Sequence, residues 1–177
     1  MLIRPEEMKA LIKSLPVIEV AHGSMNRSLE SFMADINGDI YSACMNGPVA
    51  GGGLPGPGAI SDKTGRIAME FRYASRENVK QLQKDVTLLA NIIESVTAGM
   101  KVLTRMQKTI LDFRYPADGG EAPWKDVASE LKKKEIFFSV SHVRKIFDYS
   151  ITRIISAAQI SIETYQEVMA IMDGRGE

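Results

Sequence analysis

The sequence predicts an all-α protein: short N-terminal helices, a long central helix and a C-terminal group of helices joined by loops. Three observations carry this. Val79, Leu82, Val86, Leu89, Ile93, Val96, Met100 and Leu103 recur at alternating spacings of three and four, a heptad pattern. Downstream, Leu103, Met106, Ile110 and Leu111 share one helical face, as do Val143, Ile146, Phe147, Ile151, Ile154 and Ile155. Proline and glycine cluster between these runs, at Asn46-Gly47-Pro48, Gly51 to Gly58, and Pro116 to Gly120.

In chain order, residues 5–14 favour a short amphipathic helix with Met8, Leu11 and Ile12 on one face, and Pro16 is expected to end it. Residues 24–36 predict a second helix with Leu29, Phe32, Met33 and Ile36 as its stripe. Ser24 or Asn26 would cap it and Asn37-Gly38 would end it. Residues 1–45 thus form an N-terminal helical segment. Residues 46–65 read as a Gly/Pro-rich linker, because this composition sustains neither helix nor strand. A phosphate-cradling loop is the sharper alternative. The run lacks the Gly-Lys-Ser/Thr ending of a P-loop, and no apolar strand leads into it.

The long heptad-patterned helix occupies 66–101, regular from near Ser75 to about Met100, with Arg76, Glu77, Lys80, Gln81, Lys84 and Asp85 solvated. Two readings of its seam stay open. It packs on the chain's own N-terminal helices, or it forms a homodimer through 79–103. Leu88, Ala90 and Ile92 widen the apolar face beyond a strict two-stranded seam.

Residues 102–158 follow the order helix, loop, short helix, turn, longer helix. Pro116 stops the first helix and Pro123 opens the second, where a missing N–H costs nothing. Trp124, Val127, Ala128 and Leu131 make the inward face of that short helix, and Ser139 or Ser141 caps the next. The last two elements look like a helix-turn-helix, whose second helix is offered to the major groove. Seven residues, 132–138, separate Leu131 from Ser139, against about three or four in a tight motif. Either the turn is expanded or the first helix overruns. Residues 159–177 form a C-terminal helix and tail, as an extension of the preceding helix or a separate one, ending at Asp173-Gly174. It covers the core or offers a Met-containing partner surface.

Composition narrows the function classes. The chain has 177 residues and 45% hydrophobic content, enough for a real core. No apolar run of about eighteen residues predicts a membrane span, and Met1 to Glu7 lack a signal peptide's apolar stretch. A lone cysteine, Cys44, suits a reducing cytoplasm and reads as a small core residue. With it and two histidines, His22 and His142, no metal cluster of usual spacing forms, and no cofactor or catalytic residue is expected. Net charge is zero, yet residues 101–160 hold 11 Lys and Arg against 7 Asp and Glu. Residues 161–177 hold 1 against 4, and residues 1–100 hold 10 against 11. Positive charge therefore gathers on the helix-turn-helix segment, the electrostatic footprint of a DNA reader.

The pattern Ile110-Leu111-x-x-Arg114-Tyr115, then Trp124-x-x-Val127-Ala128-x-x-Leu131, then Ser139-x-Ser141-x-Val143-Arg144-Lys145-Ile146 resembles region four of sigma factors. More narrowly, it is similar to the phage-encoded transcriptional regulators of the RinA and ArpU kind. The likeness runs over about 61–158, with Ser61-Asp62-Lys63-Thr64-Gly65-Arg66-Ile67-Ala68 ahead of the long helix. It implies a sigma-region-four-like helix-turn-helix over 102–158 and sequence-specific binding of double-stranded DNA. It also implies regulation of transcription and contact with host RNA polymerase. On the DNA reading, Ser141, His142 and Lys145 face base edges, with Ser139 at the start of their helix. Arg144, Tyr149, Arg153, Lys125, Lys132, Lys133 and Lys134 meet phosphates, which fix register without reading sequence. Two alternatives stand beside it: a phage small terminase subunit binding packaging DNA, and a helical interaction module that binds no DNA.

Overall fold

In a computed structural model the protein is all-helical, and the structure describes residues 1–45, 62–116 and 120–174. These residues form six helices: α1 (Pro5–Met45), α2 (Asp62–Lys101), α3 (Arg105–Arg114), α4 (Trp124–Lys133), α5 (Val140–Ala158) and α6 (Ile162–Asp173). Among them there is no β-strand, only an isolated bridge between Leu2 and Ser161. No helix among the described residues is long and apolar enough to cross a membrane. The chain divides into two compact units, Met1–His22 with Thr87–Glu177, and Gly23–Val86.

The expected pair of short N-terminal helices is one continuous helix, α1, with Pro16 inside it. An interior proline costs about 3 kcal/mol through its missing N–H and its clash with the preceding turn. Here Met8, Leu11, Ile12, Leu15 and Ile18 form one buried stripe that runs across Pro16, while Pro16 itself faces solvent. At about 1.5–3 kcal/mol for each buried side chain, the stripe outweighs the proline. The expected caps at Ser24 and Asn26 are absent for the same reason. Asn26 instead donates to Glu30 (2.8 Å), and the Ser24 carbonyl accepts from the Ser28 hydroxyl (3.2 Å). Gly38 lies within the helix, a tolerable loss of about 1 kcal/mol.

Helix α2 starts at Asp62, ahead of Ser75. No proline interrupts the chain between Pro57 and Pro116, so the helix extends back toward the Gly/Pro cluster. Residues 46–61, which carry most of the expected linker and its phosphate-loop alternative, lie outside the described residues.

In the unit of 1–22 and 87–177, helices α3, α4 and α5 each pack on the other two. Ile110, Leu111, Val127, Leu131, Val143, Phe147, Ile151 and Ile154 are their buried apolar side chains, with Ile154 against Gly99 of α2. Along α2, Leu89, Ile92, Val96 and Gly99 are buried, whereas the heptad positions Ile93 and Met100 are half-buried. Gly99 marks a close helix crossing. A Cβ there would stand 2.9 Å from Ile154 Cγ2 and 3.3 Å from the Ala158 Cβ. The N-terminus fastens the α5–α6 junction: Ile3 N–H donates to the Ile160 carbonyl (3.1 Å) and Ile162 N–H to that of Met1 (3.0 Å). That junction is a true break. Gln159 takes a left-handed conformation (φ 51°), and Ser161 caps α6 by accepting from the Thr164 N–H (3.1 Å). The C-terminal helix is therefore separate from α5.

In the unit of 23–86, Met25, Val79 and Val86 are buried, and Phe32 and Met33 are exposed. The pairs Glu77–Lys80 (2.9 Å) and Gln81–Asp85 (2.7 Å) line the solvated side of α2. Each contributes about 0.2–0.5 kcal/mol.

Candidate nucleic-acid interface

Helix α3 begins with a capping box. The Thr104 hydroxyl accepts from the Gln107 N–H (3.4 Å), and the Gln107 side chain accepts from the Thr104 N–H (2.9 Å). Gln107 is buried, and the same side-chain oxygen accepts from Arg153 on α5 (3.0 Å). This hydrogen bond ties α5 to the start of α3. It also holds Arg153, expected to meet phosphate, half-buried against the protein.

Trp124 opens α4. Its ring meets Phe147 edge-on at 5.0 Å between centroids, with the Arg114 guanidinium 4.3 Å and that of Arg144 5.7 Å from its centre. Arg114 also donates to the Ala122 carbonyl and pairs with Glu121, which anchors the chain leading into α4, although its buried Nε has no hydrogen-bond partner among the described residues. Tyr115 lies 5.9 Å from Phe147, and burial pushes its hydroxyl pKa up, with Glu121 adding to the rise. From α1, Lys9 reaches Asp148 (3.3 Å) and Glu6 (3.2 Å) and sits 5.6 Å above the Phe147 ring. Burial opposes its charge, but the two carboxylates outweigh burial and hold its ammonium above the usual pKa.

The connection between α4 and α5 is residues 134–139, because α4 overruns Leu131 to Lys133. It closes as a Schellman motif. Glu135 N–H donates to the Lys132 carbonyl and Ile136 N–H to the Leu131 carbonyl, both at 3.0 Å. The left-handed position usually taken by glycine is Glu135, φ 61°. A left-handed non-glycine residue costs about 1–2 kcal/mol, and a carboxylate beside a helix C-terminus is mildly unfavourable. Set against glycine's greater unfolded-state entropy, about 0.4–1 kcal/mol, Glu135→Gly should stabilise the protein by about 1 kcal/mol in urea unfolding. Glu135→Ala keeps the strain and should gain no more than a few tenths of a kcal/mol. Equal gains from both would show that no strain is held there.

Ser139 caps α5, accepting from the His142 N–H (3.3 Å), and its hydroxyl is 3.0 Å from that of Ser141. Beyond the cap, Ser141, His142, Arg144, Lys145 and Tyr149 are exposed, as are Lys125, Lys132, Lys133 and Lys134. The His142 ring lies tilted against Phe138 (4.7 Å between centroids), Lys133 pairs with Glu130 (2.5 Å), and Lys134 sits 4.8 Å from the Phe113 ring centre. Along the outer side of α5, Tyr149, Thr152, Arg153, Ser156 and Ala157 line a shallow open groove of about 400 Å³. The sequence-expected residues thus lie along α5, at the end of α4 with its turn and, for Lys125, at the start of α4. Arg153 is drawn inward, and Arg144 is drawn toward Trp124. Spacing along the chain does not point to Gln107, Lys9 or Asp148 as partners, because their bonds join residues far apart in sequence. Among the described residues, no group of three His, Cys, Asp or Glu side chains is placed to hold a metal.

The fold is all-α, and its candidate site is a basic helical surface, with no metal-binding cluster among the described residues. Comparison with protein families, with curated proteins and with solved structures gives no match for this chain.

Proposed function

We propose that this protein is a sequence-specific, double-stranded-DNA-binding transcriptional regulator of phage or prophage origin. Helices α4 and α5 act as its sigma-region-four-like helix-turn-helix, with α5 as the recognition helix. One observation carries the reading. The inner stripe of α5 (Val143, Phe147, Ile151, Ile154) is buried within the protein, and the opposite face presents Ser141, His142, Lys145 and Tyr149 to solvent. Lys125, Lys132, Lys133 and Lys134 on α4 and its end supply phosphate contacts. The protein acts by binding in the cytoplasm rather than by catalysis and needs no cofactor. Host RNA polymerase is its further partner by the resemblance.

The test is a titration of the purified protein against fragments of its neighbouring genome at two salt concentrations. Fragment-selective binding that weakens as salt rises is expected. Equal, weak binding to every fragment would leave only the helical interaction module. The small terminase reading draws on α2, whose heptad positions Leu82, Ile93 and Met100 stay half-exposed and open to self-association. Solution mass separates it: a ring of many subunits favours terminase, and a monomer or a dimer through 79–103 favours the regulator.

A further inference from the structure

Phe137 is 74% exposed, directly before the proposed recognition helix. Isolated surface apolar residues are ordinary, but the backbone here fixes which way this one faces. The Schellman bonds fold Ile136 back toward Leu131, and the Phe138 ring lies tilted against His142. Both flanking residues are half-buried, which leaves Phe137 projecting between them. The ring therefore adds little to the core. Lys132, Lys133 and Lys134, just before it in the chain, are exposed, as is Lys145 on α5, with Glu135 the exposed acid in the turn. An exposed apolar ring in a lysine-rich stretch of chain suits a polyanion that also carries small apolar groups. Duplex DNA is such a ligand, because each thymine offers a 5-methyl group in the major groove, and phenylalanine is one of the side chains that contact it. The N-terminal end of a recognition helix is the end that meets base edges.

We infer that Phe137 is a specificity-determining residue that packs on a thymine methyl group. This assignment rests on α5 being a DNA recognition helix.

The full-length protein is first used to select its preferred duplex from a randomised pool. That duplex is then remade with each thymine replaced in turn by uracil, which lacks only the methyl. For the wild type, at least one replacement should weaken binding by about fourfold, the effect of one buried methylene-sized group. Phe137→Ala should bind the all-thymine duplex at least about fourfold more weakly and show no thymine–uracil difference. Its salt dependence should match the wild type, since no charge is removed. Phe137→Leu should restore the discrimination. Thermal unfolding should be unchanged in both variants, as expected for a projecting side chain. If the wild type ignores every uracil replacement, or if Phe137→Ala keeps the discrimination, the assignment is overturned while DNA binding stands. If the wild type selects no duplex, the recognition helix and this assignment fall together.

Discussion

Phe147→Ala is expected to lower the unfolding free energy by about 3–5 kcal/mol, the range for removing a buried aromatic ring. Phe147 is 2% exposed, and it is where the elements of the 1–22/87–177 unit converge. Trp124 of α4 meets it edge-on at 5.0 Å, Tyr115 at the end of α3 lies 5.9 Å away, and Lys9 of α1 stands 5.6 Å above it. Aromatic pairs contribute about 0.5–1.5 kcal/mol beyond the area they bury, so the upper half of the range is expected. A domain of this size is stabilised by about 5–15 kcal/mol in total, so the variant gives up a large share of its margin. Phe147→Leu keeps an apolar plug and should cost less. Urea unfolding followed by circular dichroism measures both. A destabilisation below about 1 kcal/mol for Phe147→Ala, the size of an average substitution, would mean that these elements are not held through this ring.

The same convergence shows which parts of the fold are legible from sequence. The inward positions of α4 and α5 can be read from spacing, because burial on a helix has a period and Val127, Leu131, Val143, Phe147, Ile151 and Ile154 keep it. Pro16 misleads, because a local rule about backbone N–H groups leaves out the five buried side chains that run across it. Glu135 gives no warning of a left-handed turn, since the residue that normally announces one is glycine. The heptad seam is legible only in part. It places Val79, Val86, Leu89 and Val96 correctly, but Ile92 and Gly99 are buried off the seam, Gly99 where Ile154 approaches closely. In the candidate interface, residue types point to a basic face. No periodicity can show that Arg153 spends a hydrogen bond on Gln107, 46 residues away, or that Lys9 answers Asp148.

Those partners sharpen what the interface variants should do. His142→Ala with Lys145→Ala removes two exposed groups from the first turns of α5, neither of them part of the core. Removing a side chain that bonds a base edge should weaken specific binding by about 1–3 kcal/mol. The double variant should therefore bind the preferred fragment more weakly by about 2–6 kcal/mol, twice that single-residue range, and unrelated DNA only slightly more weakly. Substitutions at 132–134 should behave oppositely, weakening binding about equally across sequences and flattening its salt dependence. The three lysines are not equivalent. Lys132 makes no ion pair among the described residues, so Lys132→Ala should reduce the salt slope by about one unit. Lys133 is already matched by Glu130 at 2.5 Å, and a phosphate must compete with that carboxylate. Lys133→Ala should therefore change the slope less than Lys132→Ala. Glu130→Ala, which frees Lys133, should strengthen non-specific binding at low salt. Fluorescence anisotropy over a salt series, with one specific and one unrelated duplex, separates the two classes. If the His142 and Lys145 variant were weakened equally for both duplexes, α5 would be lying along the backbone, and the reading of bases would have to come from another surface.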